Sequence, residues 1–318
     1  NSKEIKKNDI FFAIKGKKED GNFYVDEAFK KGASIAIVNK IKNSIKKNKQ
    51  IKVSDTLEFL TKSSKIVREN FDGRIIAITG SCGKTSLKEL LGNTINKYSS
   101  ATFSPKSFNN KYGVPLSLFN LNLKHKNGVF EVGMDKKGEI NFLSKIINPD
   151  IGVITNISYA HAKNFKNIKQ IALAKSEIIN NIKKDGSLVL NADDKFYNFH
   201  KKIGLKKKLK IYSFSLKKKT DIYLKHIKKE LKRYKISVKI NNQTKYFFVN
   251  SVYENYLKNL LACITILYIL NDISSLNSFS FYNDKIPEGR GDISKIKFGN
   301  KNIFLIDESY NSNPLSLE

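Results

Sequence analysis

The sequence has few of the residues that cross-link or anchor a chain. Its only two cysteines, Cys82 and Cys263, cannot form a disulfide framework, and no cluster of residues has the spacing of a zinc site. We therefore expect a reducing, cytoplasmic setting. No apolar run approaches the roughly 20 residues that a membrane helix requires, so we expect no membrane insertion. The first residue is not Met and no signal-type apolar region follows it, so we expect the chain to begin inside a longer protein.

Acidic residues are scarce relative to basic ones. Lys and Arg number 58 and Asp and Glu number 29, which gives a formal charge of +29 at pH 7. Such a charge attracts nucleic acids, anionic lipids and phosphorylated metabolites without specificity. The excess is spread along the whole chain with many Asn and Ile residues, which indicates compositional bias. We therefore expect solvated surface lysines and no specific nucleic-acid partner.

Strand-like and helical patterns alternate through most of the sequence. Its 318 residues are 40% hydrophobic, which is enough for a large core and long for one domain, so we expect two or three domains. The alternation predicts an α/β fold with a mainly parallel sheet covered by helices. The predicted strands are DIFFAIKG from Asp9, SIAIVNK, Ile75–Ile78, Gly128–Val132, Ile151–Thr155 and Ser187–Asn191, and the predicted helices include Leu57–Asn70, one opening near Lys84, and Ile168–Ile182.

The pattern changes between about Lys201 and Val249. Lys-rich segments there alternate with IYSFSL, DIYL, YKISVKI and KYFFV, which are typical of short strands with one solvated face. We predict that they form an antiparallel extension of the sheet. A helix from about Tyr253 to Leu270, a loop containing Pro287 and a strand over Asn302–Ser309 are predicted to follow.

The strongest local signal is a glycine-rich turn between an apolar strand and a helix. Backbone N–H groups and the helix dipole at such a turn hold polyphosphate, Lys84 would neutralise the β- and γ-phosphates, and the Thr85 hydroxyl would bind magnesium. Ile78 takes the place of the first glycine of the common pattern, and the alternative is an ordinary strand-to-helix turn. We predict ATP binding, with Cys82 a bystander because no base is paired with it. The candidate residues are Gly80, Ser81, Cys82, Gly83, Lys84, Thr85 and Ser86.

A series of further segments accompanies this loop. TGSCGKTS is followed in order by FNNKYGVPLSL, EVGMDKKGEI, TNISYAHAKNF, ALAKSEI, NADD, ENYLKNLLA, GRG and DESYNSNP. In order and spacing the series resembles the Mur ligase family, which uses this shorter phosphate loop. The resemblance covers nearly the whole chain and weakens between Lys201 and Val249.

The resemblance implies an activity. Within the family, the segments E-x-G-x-x-x-x-G-E-I and NN-x-x-G-V-P-L resemble the member that adds D-Ala-D-Ala to UDP-N-acetylmuramoyl-tripeptide in peptidoglycan precursor synthesis. Its chemistry is ATP-dependent amide formation through an acyl phosphate. Two alternatives are enzymes: the sibling ligases that add lysine or diaminopimelate, and the folate polyglutamate ligase. Two others are a non-catalytic nucleotide-binding module and a basic nucleic-acid-binding protein. We expect a monomer.

The resemblance also implies three domains. An N-terminal UDP-substrate-binding α/β domain would occupy residues 1–70, and a central P-loop ATPase domain residues 71–287. Residues 288–318 would begin a Rossmann-like C-terminal domain, which the chain leaves incomplete.

Metal ligands follow from the matched segments. Glu131, at the end of a strand-like run, matches the family's magnesium ligand beside Thr85. His161 matches a ligand of a second magnesium, although a lone loop His is more often plain surface. Lys175 falls where the family places a lysine carbamylated by carbon dioxide, which requires a partly desolvated, neutral amine. Lys84, Glu131, His161 and Lys175 are the expected catalytic residues.

The remaining candidates are matched contacts to nucleotide and substrate. Asn255 and Asn259 resemble the adenine-contacting motif, although Asn255 would also suit a helix cap. Arg290 and Asp307 match positions that contact the γ-phosphate and the ribose. The substrate candidates are Ser2, Lys15 and Asp20, on the uridine-diphosphate side, and Asn109 and Asn110, which could equally be turn residues.

Overall fold

The computed structural model describes residues 2–16, 19–159, 164–231, 233–282, 284, 289, 292–299 and 301–307. In this part of the chain the strands form sheets of three, nine and two strands. The combination of a small α/β unit and a large, mainly parallel sheet confirms the fold class predicted from the alternation of strands and helices.

The small N-terminal sheet is parallel throughout, in the order β1-β2-β3. Its strands are β1 (Ile10–Phe12), β2 (Ile35–Val38) and β3 (Gln50–Lys52), with helices α1 (Val25–Lys30) and α2 (Thr56–Glu69). Asp55 begins α2 as an N-cap, because its carboxylate accepts from the backbone N–H groups of Leu57 and Glu58. The strands predicted in DIFFAIKG and SIAIVNK and the helix predicted at Leu57–Asn70 are confirmed.

A nine-stranded sheet forms the centre of the molecule, in the order β12-β11-β10-β9-β8-β7-β4-β6-β5. Its strands are β4 (Arg74–Thr79), β5 (Ala101–Phe103), β6 (Asn127–Glu131), β7 (Ile151–Ile154), β8 (Ser187–Asn191), β9 (Lys210–Ser215), β10 (Ile222–Glu230), β11 (Arg233–Ile240) and β12 (Gln243–Val249). The first of them, β4, pairs in parallel with β6 on one side and β7 on the other. The strand order therefore reverses at β4, and open parallel sheets bind ligands at the carboxyl ends of strands at such a point.

Helices cover both faces of the large sheet. They are α3 (Lys84–Ile95), α4 (Gly113–Phe119), α5 (Glu139–Ile147), α6 (Ile168–Asn180), α7 (Tyr197–Lys206) and α8 (Glu254–Ile269). The apolar sides of α3 and α8 pack into one core with the sheet, and those of α4, α5 and α6 pack into a second core. This arrangement explains why β4 is buried from Ile75 to Thr79 and reads as an unbroken apolar run.

The Lys-rich region from Lys201 to Val249 is only partly an antiparallel extension. It begins with the end of α7, and β9 pairs in parallel with both β8 and β10. The antiparallel prediction is right for β10, β11 and β12 and wrong for β9. The helix is hard to predict from the sequence because three of its ten residues and both residues of the turn after it are lysines, and only His200 and Gly204 of α7 are buried.

The end of the described chain forms a separate two-stranded sheet. The predicted strand at Asn302–Ser309 is observed as β14 (Lys301–Asp307), and it pairs with β13 (Asp292–Phe298), which the sequence pattern did not predict. Pro287, placed in the preceding loop, lies outside the described residues. None of the helices in the described part of the chain has the length and apolar character needed to cross a bilayer.

Candidate nucleotide and substrate site

Two glycines shape the loop between β4 and α3. Gly80 has φ +149°, and a Cβ there would lie 1.8 Å from Oγ1 of Thr155. Gly83, which precedes α3 in the left-handed conformation at φ +81°, would place a Cβ 2.7 Å from Oδ1 of Asn259. Neither position accepts a side chain without displacement of its neighbour, so the loop backbone stays open towards the site.

The segment that follows β7 holds this loop from the side. Ser81 donates its backbone N–H to the carbonyl of Asn156 at 3.0 Å, and Cys82 donates its own to the side-chain oxygen of Asn156 at 2.9 Å. The Thr155 hydroxyl donates to the Cys82 carbonyl at 2.6 Å, and Ser158 exchanges two hydrogen bonds with Ser81. These contacts were missed from the sequence; the position of 155–158 after a central parallel strand was the available signal.

Lys84 begins α3 and folds back over the loop. Its Nζ donates to the carbonyl oxygens of Gly80 at 2.9 Å and Ser81 at 3.3 Å. The first backbone N–H groups of a 12-residue helix and a lysine thus lie at one point, which is the arrangement that binds a polyphosphate. Ser86, the third residue of the helix, is partly buried.

Thr85 and Asn109 meet at one buried carboxylate. The Thr85 hydroxyl donates to Oε2 of Glu131 at 2.7 Å, and the Asn109 side-chain amide donates to Oε1 at 2.7 Å. Glu131 is the last residue of β6 and is 1% exposed. Hydroxyl and carboxylate oxygens are the ligands that Mg²⁺ prefers, so this pair fits the metal predicted from the sequence. In the described part of the chain, no group of three or more His, Cys, Asp or Glu residues comes together as a ready-made metal site.

Lys175, on α6, reaches the same loop from the other side of the sheet. Its side chain is 1% exposed, and Nζ donates to the Gly80 carbonyl at 2.9 Å. Burial holds the pKa of this lysine well below its usual value, and the positive charge of Lys84 lowers it further. The amine is therefore far more readily neutral than that of a surface lysine.

Asn255 and Asn259 line a pocket at the start of α8 with Gly83, Thr155, Asn156, Phe214 and Lys258. Asn259 is buried, whereas Asn255 is exposed at the mouth. The alternative that Asn255 caps the helix is wrong, because the N-cap is Tyr253 and Asn255 is already the second helical residue. The pocket borders the phosphate loop through Gly83, as an adenosine-binding pocket must.

Asn109 and Asn110 have different surroundings despite being neighbours. Asn109 contacts Glu131. In contrast, Oδ1 of Asn110 accepts from the backbone N–H groups of Tyr112 and Gly113 at 3.0 Å, in the turn that precedes α4. The turn interpretation therefore describes Asn110 in this structure and does not describe Asn109.

The N-terminal candidates lie on the small α/β unit. The Ser2 hydroxyl donates to Glu27 at 3.0 Å, and Lys15 forms an isolated bridge with Asp20. Asp20 accepts from the backbone and side chain of Asn22, and these bonds lower its pKa. Among the described residues, Oδ1 of the buried Asn22 is one of the few buried polar side-chain atoms without a hydrogen-bond partner.

The remaining three candidates are His161, Arg290 and Asp307. His161 and Arg290 lie outside the described residues. Asp307 is the last residue of β14, in the two-stranded sheet, where it pairs with Asp292. The structure therefore brings together Lys84, Thr85, Asn109, Glu131 and Lys175 around the phosphate loop, with Asn255 and Asn259 beside it.

Comparison with known proteins gives this site a family. Residues 78–267, more than half of the chain, match the family described as the Mur ligase middle domain. The chain is 33% identical over 321 residues to the UDP-N-acetylmuramoyl-tripeptide--D-alanyl-D-alanine ligase of Rickettsia prowazekii, and the match covers 100% of this chain and 70% of that protein.

Solved structures give the same result. A crystal structure of MurF from Acinetobacter baumannii has a TM-score of 0.84 and 27% identity, covering 100% of this chain and 68% of that one. MurF ligase from Thermotoga maritima in complex with ADP has a TM-score of 0.83 and 27% identity, and the match covers 99% of this chain and 71% of that one. The matched segment, the identity to the Rickettsia protein and the shared fold agree that this chain belongs to the Mur ligase family.

Proposed function

We propose that this chain provides most of an ATP-dependent ligase that joins D-Ala-D-Ala to UDP-N-acetylmuramoyl-tripeptide in peptidoglycan precursor synthesis. The observation that carries the proposal is the convergence of Lys84, Thr85 and Glu131 on one phosphate loop, with the buried Lys175 behind it. The two substrates are those named for the Rickettsia relative.

ATP would lie along the loop and into the pocket at α8. The first amides of α3 and the ammonium of Lys84 would hold the β- and γ-phosphates, and Asn255 and Asn259 the adenine. The Thermotoga relative was solved in complex with ADP, which supports nucleotide binding. Arg290 and Asp307 are proposed contacts to the γ-phosphate and ribose.

The reaction joins a carboxylate to an amine in two balanced steps. The terminal carboxylate of the tripeptide attacks the γ-phosphorus, which forms an acyl phosphate and releases ADP. The amine of D-Ala-D-Ala then attacks the acyl carbon, inorganic phosphate leaves, and the nitrogen releases one proton as the amide forms. Negative charge develops on phosphoryl oxygens in both steps, so Lys84 stabilises the transition states without acting as a nucleophile.

The proposal includes two magnesium ions. Thr85 and Glu131 would hold one ion, and His161 with Lys175 a second. Lys175 suits carbamylation because its buried, readily neutral amine can add to carbon dioxide and release one proton. When bound, magnesium supplies Lewis-acid stabilisation of the phosphoryl oxygens.

The tripeptide substrate would extend from this centre towards the N-terminal unit. Asn109 and Asn110 would border the peptide, and Ser2, Lys15 and Asp20 the uridine diphosphate. The ion pair of Lys106 with Glu4, at 2.9 Å, links the two regions. We assign 1–70 to UDP-substrate binding, 71–287 to ATP binding and 288–318 to the start of a third domain, in a cytoplasmic monomer.

The decisive experiment is ATP-dependent phosphate release by the natural full-length protein. It is offered UDP-N-acetylmuramoyl-tripeptide with D-Ala-D-Ala, lysine, diaminopimelate or glutamate in turn, and Lys84→Met serves as the inactive control. Release that requires both the tripeptide and D-Ala-D-Ala is expected. Phosphate release with a single amino acid would show that the protein is a related ligase that adds one residue. ATP binding without phosphate release would indicate a non-catalytic module.

A further inference from the structure

Lys88 is a fully buried lysine that the proposed chemistry does not use. It lies on α3, one turn after Lys84, and its side chain is 0% exposed. Its Nζ donates to the carbonyl oxygens of Ser104 at 2.5 Å and Lys106 at 2.6 Å, and it forms an ion pair with Glu89 at 2.7 Å. A buried ammonium is costly unless such partners compensate it, so an apolar residue would be the cheaper way to fill this space.

The carbonyls that Lys88 binds belong to an irregular segment, residues 104–110, between β5 and α4. We call it the clamp loop. Its first residue, Ser104, still donates its backbone N–H to the carbonyl of Val129 on β6 at 3.0 Å, whereas Lys106 has a left-handed φ of +48°. The two charge-assisted hydrogen bonds from Lys88 add to this backbone bond and hold the carbonyls of Ser104 and Lys106 on the opposite side.

The clamp loop contacts three parts of the proposed active site. The Asn109 amide donates to Glu131, and Ser107 lies 3.3 Å from the Thr85 hydroxyl. The Lys106 side chain pairs with Glu4 of the N-terminal unit. A displacement of the loop would therefore move the polar groups next to Glu131. It would also move the surface around the Lys106–Glu4 pair, which lies between the proposed ATP site and the proposed uridine-diphosphate site.

Helix geometry explains how Lys88 is coupled to the phosphate loop. Residues three apart on a helix share a face, so Lys88 lies beside Thr85. Thr85 contacts the end of β6 through Glu131, and Lys88 contacts the segment after β5, the neighbouring strand. One face of α3 therefore sets the spacing of both strand ends relative to the phosphate loop.

We propose that Lys88 is a positioning residue whose ammonium holds the clamp loop in the conformation that binds the UDP-muramyl peptide. The inference rests on the proposed ligase function for the identity of that substrate. It assigns to Lys88 a part in substrate binding that acts through Asn109 and the loop backbone, without contact to ATP.

The test compares Lys88→Met with wild type in the natural full-length protein. Methionine keeps most of the length of the side chain and removes the charge. The KM for UDP-N-acetylmuramoyl-tripeptide is expected to rise about tenfold or more and the KM for ATP to change by less than about twofold, since Lys84 and the first amides of α3, which would hold the ATP phosphates, keep their contacts. Amide hydrogen exchange over 104–110 is expected to rise at least about tenfold.

Arg68→Met is the matched control. Arg68 is also a buried cation, 5% exposed, that donates to the backbone carbonyls of Ile147 and Asn148 at 2.7 and 2.8 Å, away from the site. It is expected to lower thermal stability without a selective change in either KM. Should Lys88→Met not fold, Lys88→Gln retains one donor, and the same split between the two substrates is expected.

The outcomes separate the two proposals. An unchanged tripeptide KM together with unchanged exchange over 104–110 would overturn the role of Lys88. Equal increases in the KM for tripeptide and for ATP would also overturn it, because a general stability defect affects both substrates alike. If wild type does not ligate with any acceptor, the ligase proposal fails. Binding of the UDP-muramyl tripeptide and exchange over the clamp loop then still decide whether Lys88 positions that loop.

Discussion

The ammonium nitrogen of Lys175 lies 2.9 Å from the carbonyl oxygen of Gly80, so a fully buried lysine on α6 is bonded directly to the phosphate loop. One backbone carbonyl offers little compensation for a buried charge. The low pKa of Lys175 follows mainly from this burial, with a further contribution from the charge of Lys84. The same burial suits the neutral amine required for carbamylation.

Replacement of Lys175 by Ala is expected to abolish ligation and to spare nucleotide binding. The variant removes the amine that would carry the carbamate but leaves the loop amides and Lys84 in place. Short carboxylic acids are expected to restore part of the activity by placing an anionic oxygen in the vacated space. Phosphate release and ADP binding by calorimetry measure the two effects, and undiminished ligation by the variant would rule out the proposed role.

The low pKa of Lys175 also predicts a dependence of stability on pH. Between the folded pKa and the ordinary value of 10.5, the unfolded chain binds this proton more strongly than the folded chain. The free energy of unfolding should therefore rise with pH across that window. The destabilisation that Lys175 causes is largest at pH values below its folded pKa. Lys175→Met should stabilise the protein at low pH and flatten the profile. Urea unfolding at a series of pH values tests this, and parallel profiles would contradict it.

Gly80→Ala should disable the phosphate loop. Its new Cβ would meet Thr155 Oγ1 at 1.8 Å, at a φ of +149° that side chains rarely adopt. We expect a stability loss of about 3 kcal/mol, from overpacking added to backbone strain, and nucleotide binding weakened beyond detection. Gly138→Ala is the control, because Gly138 also has positive φ, +90°, but open space around it. It should cost about 1 kcal/mol and leave binding intact. Equal effects of the two substitutions would show that the clash is unimportant.

The part of the site that is local in sequence was predictable. An apolar run, two glycines, Lys84 and Thr85 occur in order, and β4 and α3 form around them as expected. The position of Glu131 at a strand end was also readable, because a short apolar run precedes it. Their functional roles came from the family resemblance.

Contacts between distant segments were not predictable in the same way. Asn156 holds Cys82 because β7 lies beside β4, and that neighbour relation depends on the order of strands in the folded sheet. Lys88 was hidden by composition, since one lysine among 58 basic residues carries no signal until its burial is seen. The lysines of α7 concealed a helix for the same reason.

Glu131→Gln should lower phosphate release at saturating substrate about 100-fold or more. The amide can still accept from Asn109 and donate to Thr85, so the fold should be retained while the anionic oxygen is lost. Glu58→Gln, in an exposed pair with Lys62, is the matched control and should change neither rate nor stability appreciably. A magnesium titration of the initial rate measures the effect. A variant with the wild-type rate and magnesium requirement would exclude Glu131 as a ligand.

Asn255→Ala separates nucleotide binding from helix capping. A capping residue costs about 1 kcal/mol when replaced by Ala, but Asn255 lies inside α8, so we expect a change in unfolding free energy below about 0.5 kcal/mol. Loss of one hydrogen bond to adenine should weaken ATP binding about threefold to tenfold.

Asp55→Ala provides the opposite pattern. Asp55 caps α2 through two backbone N–H groups, so its replacement should cost about 1 kcal/mol and leave ATP affinity unchanged. Urea unfolding and ATP titration of both variants form the test. If Asn255→Ala destabilises the protein as much as Asp55→Ala and binds ATP normally, Asn255 supports the start of α8 and does not bind adenine. If Asn255→Ala keeps its stability but binds ATP more weakly, the mouth of this pocket belongs to the nucleotide site. This is the result we expect, because Asn255 is exposed there and has no capping bond to lose.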